Sequence, residues 1–334
     1  MILTNLQNFK DNFFSVIIIG SGPAGISTAL KLEEQKIKCL ILEAGSLELS
    51  EDKESFLKGK VYGDLDPSTD LSSVRSRVFG GTSALWGGHC SKFEKYQFKK
   101  WPINYEECYK FENECNKILD LKSYHTDFYY KKFNKDFNQF HRRFASNLRF
   151  KDVYYDKIKN SKYICLSLNT SFLHFKGSNN QISSINCRQN DDLIDLKSKI
   201  YVLAAGGIEN TRLLLWSREK NQSLFQKDLP IGNYYMDHPW HTPGEGFASY
   251  NRLIDYFRIN EVSREFYIDC LSRLYLSPNT KFKEENNLLS VALWLRFENK
   301  DHNKRRDSYL TKAYCIAPNF FKTYFEKNNV DDLF

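Results

Sequence analysis

The feature that most constrains this chain lies near its start, in SVIIIGSGPAGISTALKLEEQKIKCLILEAGS, residues 15–46. Val16 to Ile19 form an unbroken β-branched run, the pattern of a central parallel strand covered on both faces. The turn that follows sets Gly20, Gly22 and Gly25 in G-x-G-x-x-G spacing. In such a turn the first glycine permits a tight exit from the strand, and the second lets backbone approach a pyrophosphate. The third lets the helix pack close against the sheet. Pro23, followed by Ala24, falls at the first helical position, where its fixed φ helps and its missing N–H costs nothing. The helix start then offers unpaired N–H groups and a partial positive charge to an anion. Ile26, Ala29, Leu30 and Ile37 give this helix an inward side, and KCLILEAG reads as the second strand of a βαβ unit. Glu43 ends that strand 18 residues after Gly25, with Ala44 behind it. A carboxylate there accepts ribose hydroxyls and repels a 2′-phosphate, so the unit is expected to take FAD or NAD and not NADP.

Composition narrows the class. A chain of 334 residues with 41% hydrophobic and 15% aromatic content fills a real core and has length for two domains. Only 16 residues are glycine, so their crowding at 20–25, 80–88 and 206–207 marks backbone that needs them. The net charge of +7 is spread over 48 basic and 41 acidic residues, which describes no nucleic-acid footprint. The basic and aromatic stretch YYKKFNKDFNQFHRRF places Phe133, Phe137, Phe140 and Phe144 on one helical stripe, so a core helix with a solvated face is expected there. Eight scattered cysteines without a C-x-x-C pair fit reduced thiols in a cytoplasmic protein. No leader pattern and no apolar run near the roughly 20 residues of a bilayer span is present, so no membrane span is expected.

Two later segments carry further weight: RSRVFGGTSALWGGHC, residues 75–90, and IYVLAAGGIENTRLLLWS, residues 200–217, the latter read as a buried strand running into a helix. With the opening motif they resemble the glucose-methanol-choline (GMC) family of FAD-dependent oxidoreductases. WPINYEECYKFENE at 101–114, IGNYYMDHPW at 231–240 and the strand-rich YICLSLNTSFLHFKGSNNQISSINC between them are similar to further family segments, collinear over roughly residues 14–245. The resemblance implies an α/β fold: a Rossmann-like FAD-binding domain with a central parallel sheet and a β-meander, plus a partial α+β substrate domain. Residues 1–105 and 160–240 would form the first, and 106–159 and 241–334 the second. It implies FAD in place of NAD. Gly20, Gly22, Gly25 and Glu43 would meet the ADP half, with Pro23, Ala24 and Ala44 alongside. Arg77, Gly80, Gly81, Thr82 and Ser83 would follow the pyrophosphate and flavin. Trp86 and Gly87 would approach the isoalloxazine, backbone near Phe172 the adenine, and Ala205 and Gly206 would complete the site. Some relatives link the flavin to a His directly before the Trp; here that position is Leu85, so the FAD is expected to be non-covalent.

The family's chemistry is hydride transfer from an alcohol or sugar CH–OH group to flavin N5, with a base taking the hydroxyl proton. Histidine suits that base, and the chain has His89, His125, His141, His174, His238, His241 and His302. None matches the family's catalytic histidine, which lies in a later H-x-x-G-T segment, so the catalytic residue is unassigned. His238 and His241 stand as H-x-x-H beside Asp237, but Pro239 and Pro243 oppose a helix there and no metal site is expected. The expectation is therefore an enzyme that is incomplete without a C-terminal segment, possible as a separate complementing polypeptide. The alternative is a non-catalytic FAD- or nucleotide-binding remnant.

Overall fold

A computed structural model describes residues 1–11, 14–62, 71–121, 130–141, 143–236 and 274–294. In chain order the strands are β1 (Phe14–Ile19), β2 (Cys39–Leu42), β3 (His89–Cys90), β4 (Tyr130–Lys132), β5 (Phe137–His141), β6 (Arg143–Phe144), β7 (Ile164–Ser167), β8 (Thr170–Ser178), β9 (Gln181–Gln189), β10 (Asp192–Leu196), β11 (Ser198–Leu203), β12 (Leu274–Pro278) and β13 (Leu293–Trp294). The helices are α1 (Pro23–Glu34), α2 (Glu51–Ser55), α3 (Tyr105–Tyr109), α4 (Glu112–Ile118), α5 (Phe150–Lys159), α6 (Gly207–Lys220) and α7 (Thr280–Glu285). They divide between two compact units, Met1–Gly88 with Asn147–His238, and His89–Ser146 with Pro239–Phe334. The cuts fall at Gly88 and Asn147, where the sequence reading put them at 105 and 159. The segment after Asn147 becomes α5, which buries Phe150, Tyr154 and Ile158 and packs on β7 of the first unit.

The first unit is built on a parallel sheet in the order β11-β1-β2-β7. The β-branched run at 16–19 takes the inner position that its composition calls for, with Ile17 and Ile18 fully buried between β11 and β2. On one face Ile17, Ile19, Leu40 and Leu42 pack with Phe172, Phe175 and Ile185 of the antiparallel meander β10-β9-β8. Helix α1 packs on β1, β2 and β7 and buries Ile26, Ala29 and Leu30. The hairpin between β8 and β9 turns through Asn179 and Asn180, both in the left-handed region at φ 51° and 60°, as the two-residue turn of a tight hairpin requires. Strand β11 differs from its reading as a buried strand. Among the described strands it is the sheet's edge, and Ile200 is 55% exposed.

The second unit holds the sheet β13-β12-β5-β4 and the short pair β3-β6. The phenylalanine stripe at 133–144 is not a helix: Phe133 lies in the turn after β4, Phe137 and Phe140 on β5 and Phe144 on β6. Asn134 makes the turn, its Oδ1 accepting the N–H groups of Asp136 and Phe137. Phe140 then pairs with Tyr275 of β12, their rings stacked at 5.5 Å between centroids. A helical period and a run of aromatic strand residues coincide over so short a stretch, and cross-strand packing decides between them. Among the described residues no helix is long and apolar enough to cross a membrane.

Candidate functional site

Three separated pieces of the first unit meet at the end of β1, where the parallel strands deliver their carboxyl ends. Gly20 leaves β1 at φ +105°, its amide donating to Leu42 O at 2.8 Å, and a β-carbon there would lie 2.6 Å from Ala204 O. The second glycine segment closes on the first. Gly80 N donates to Ser21 O at 3.1 Å, and a β-carbon on Gly81 would sit 2.8 Å from the Cα of Gly22. Ala204 and Ala205 at the end of β11 come alongside Gly20, with Ala204 N donating to Ile19 O at 2.8 Å. So the fold brings together Gly20, Gly22, Gly25, Gly80, Gly81, Ala205 and the start of α1.

The glycines answer to different needs. A β-carbon on Gly25 would lie 2.0 Å from Gly20 O, so that position serves the packing of helix on strand. Gly22 has an ordinary φ of −70°, and its β position meets only Ala204 O, at 3.9 Å. Neither backbone strain nor packing demands a glycine there. Gly22 is also the N-cap of α1 and supplies no capping side chain, so no N-cap side chain occupies the first N–H groups of the helix, which carry a partial positive charge. Gly207, which opens α6 after Gly206 at φ +84°, likewise has nothing within 4 Å of its β position.

Glu43 is 6% exposed and ends β2 against this turn. Its Oε2 accepts the Ser21 N–H at 3.0 Å and the Ser21 hydroxyl at 2.6 Å, and its Oε1 accepts Gly45 N–H at 2.7 Å. A carboxylate offers about four acceptor directions, and these bonds use two on Oε2 and one on Oε1. Burial pushes the carboxyl above its ordinary range, while the donors of Ser21 and Gly45 and the charge of Arg77 pull it down. Arg77 reaches the same corner. Its Nη2 donates to Ser171 Oγ at 2.7 Å, its guanidinium lies 4.8 Å over the Phe56 ring, and its buried Nε has no partner among the described residues. Ala44 follows Glu43 and Gly45 then tucks beneath Arg77, where a β-carbon would lie 2.1 Å from Arg77 O.

Farther along the second segment, Gly81–Ala84 forms a 3-10 turn. Ser83 is buried, its hydroxyl donating to Gly80 O at 2.7 Å and accepting Phe150 N–H at 3.2 Å, whereas Thr82 and Gly87 are exposed. Trp86 is half-buried and donates its indole N–H to Leu148 O. Phe172 puts its side chain into the core against Phe175 at 4.8 Å, next to a bulge in the β8-β9 ladder. Of the histidines, His89 and His174 are described in full. Burial holds His174 below its ordinary value, and nothing draws it toward the glycine turns. His125, His238, His241 and His302 lie outside the described residues, as does Asp237. Among the described residues no group of His, Cys, Asp and Glu could hold a metal ion. A cavity of about 290 Å³ opens beside Val78, Phe79, Ser83 and Lys151, and no residue of the first glycine turn lines it.

Several residues that build the site were not singled out in the sequence. Ser21 sits at an unspecified position of the glycine motif and fixes Glu43. Asn210, one turn into α6, accepts Ala205 N–H at 2.9 Å and donates to Leu203 O at 3.4 Å, holding the end of β11. An Asn in a helix's first turn is the signal that could have found it. Arg149 donates to the carbonyls of Ser83 at 2.7 Å and Trp86 at 2.9 Å and so pins the second segment from 63 residues away, which no local pattern announces.

A helix N-terminus without a capping side chain, a glycine with open space at its β position, a buried guanidinium N–H without a partner among the described residues and a carboxylate at the end of the second strand are the groups that suit the phosphates and hydroxyls of a dinucleotide. Residues 15–50 match the family described as "FAD binding domain". No curated protein matches the chain in sequence. Among solved structures, pyridoxine 4-oxidase from Mesorbium loti is similar at 15% identity and a TM-score of 0.40, over 60% of this chain and 51% of that one. An FAD-dependent oxidoreductase from Chaetomium thermophilum is similar at 14% identity and a TM-score of 0.44, over 60% of this chain and 46% of that one. The chain thus spans about half the length of these structures. The βαβ unit at its head is an FAD-binding segment, and FAD is its cofactor.

Proposed function

We propose that this chain belongs to an FAD-dependent oxidoreductase of GMC type that acts on the CH–OH group of an alcohol or sugar, with the flavin held non-covalently. The observation that carries the cofactor's placement is Gly22, a glycine that neither φ nor packing requires, set at the N-cap of α1. Its bare backbone and the α1 N–H groups would take the pyrophosphate, favoured by the helix dipole. Glu43, through the remaining direction on Oε1, and Arg77, through Nε, would hold the adenosine end, with β8 near Phe172 beside it. Gly80, Gly81, Thr82 and Ser83 would continue the cradle toward the flavin, with Trp86, Gly87, Ala205 and Gly206 bordering it. When bound, the flavin supplies two-electron acceptance from a CH–OH donor. Support for the GMC assignment is the collinear set of motifs, of which 77–83 and 203–207 meet the first glycine turn in the fold. The first unit would be the FAD-binding domain and the second a substrate domain.

The test is anaerobic titration of the FAD-loaded protein with a panel of primary alcohols and sugars, followed by flavin absorbance. Bleaching by any of them supports the proposal. A protein that is yellow yet bleached by none, while still reduced by dithionite, is a flavin-binding chain without alcohol chemistry and overturns it.

A further inference from the structure

We propose that Ser21 is a positioning residue for FAD, acting through Glu43 by fixing its carboxylate so that one acceptor direction faces the nucleotide. The inference rests on the placement of FAD given above. Ser21 is fully buried and cannot itself touch a ligand, yet it ties together all the local pieces. Its hydroxyl and its N–H both donate to Glu43 Oε2, at 2.6 and 3.0 Å, and its carbonyl accepts Gly80 N–H at 3.1 Å. With Gly45 N–H on Oε1, the carboxylate has no rotational freedom left, and its remaining direction is set by the protein before any ligand arrives. The Ser21 N–H is a donor that any residue but proline would bring, and its hydroxyl adds a second donor to the same oxygen of a buried carboxylate. Such charge-assisted bonds are roughly twice as strong as neutral ones.

The role has a pH signature. An ionised Glu43 accepts from a ligand hydroxyl better than its acid form, so FAD affinity rises with pH through the carboxyl's titration and then levels off. Burial moves that titration up, and Ser21, Gly45 and Arg77 bring it back down. Arg77 is the charged group that acts on Glu43 across the turn, and Glu54, Glu209 and Arg212 act in turn on Arg77. Removing the Ser21 hydroxyl takes a donor from the charged form alone, so the titration moves to higher pH.

The experiment measures FAD dissociation constants by flavin-fluorescence quenching between pH 5 and about 9, within the range where side chains of this kind titrate when perturbed, for the wild type, Ser21→Ala, Ser21→Thr and Glu43→Gln. Expected is an affinity loss of about tenfold in Ser21→Ala, the weight of one bond to a charged group, over the pH span where the wild type has levelled off and the variant is still rising. The loss should shrink at alkaline pH, be rescued in part by Ser21→Thr, and leave Glu43→Gln with a flat profile. An equal loss at every pH, or no loss, overturns the role of Ser21 while leaving the FAD site standing. Failure of the wild type to bind FAD at any pH overturns the site itself.

Discussion

At the residue scale the glycine motif separates into positions that the fold needs and one that it does not. Gly25 is needed by the fold: a β-carbon would stand 2.0 Å from Gly20 O, and backbone on both sides cannot give way. Gly25→Ala is expected to cost about 3 kcal/mol or more, the upper range of overpacking. Gly22→Ala has free space and an allowed φ, so the apoprotein should lose no more than about 1 kcal/mol, the usual effect of alanine at an N-cap. FAD affinity should nonetheless fall about tenfold or more, because the new methyl would fill the space proposed for the pyrophosphate. Urea unfolding of the apoproteins and flavin quenching separate the two effects; a Gly22→Ala protein that binds FAD like the wild type removes the pyrophosphate from that space. Spacing alone could not make this distinction, because it assigns each glycine a role by position, whereas the clash at Gly25 and the void at Gly22 depend on Ala204 and on how α1 docks.

At the element scale, legibility follows the reach of the interactions. The strand–turn–helix–strand unit at 14–42 could be read because its pattern is local, and its hydrophobic faces point where a βαβ unit must put them. The segment at 133–144 could not, because its partners β12 and Tyr275 lie more than 130 residues away in sequence. The same distance dependence governs α7. Lys283 on that short helix is 1% exposed, and its ammonium meets Glu94 Oε2 at 2.5 Å, beside the Tyr96 ring, so α7 is held to the 3-10 turn at Lys95–Lys100. Replacing it with alanine takes the ammonium from Glu94, which keeps the Gln97 N–H and some water, and is expected to cost about 2 kcal/mol, between an exposed pair and a fully buried one. Lys176 pairs with Asp195 at 2.6 Å with both side chains more than 40% exposed, and its replacement should cost less than about 1 kcal/mol. Equilibrium urea unfolding of the two variants decides whether burial is what gives the Lys283 pair its weight; equal midpoints would show that it is not.

At the scale of the whole molecule, the FAD-binding segment is short compared with the surface that would hold FAD. Residues 15–50 carry the family match, yet the pieces packed on the turn come from 77–83 and 203–207, and each bonds to residues remote in sequence: Gly80 to Ser21, the 3-10 turn to Arg149, and Ala204 to Ile19. A ligand seated there would therefore stabilise four stretches of the first unit together. Binding linkage sets the size: at a hundred times its dissociation constant, FAD stabilises the folded state by about 2.7 kcal/mol. The distribution is the sharper test. Amide hydrogen exchange with and without FAD should show added protection at 20–26, 43–46, 78–84 and 203–208, all within the first unit. Protection confined to 20–26 would mean that the nucleotide meets the first turn alone. The second glycine cluster would then be a brace for that turn, which is a use its hydrogen bond from Gly80 to Ser21 already supplies in the absence of any ligand.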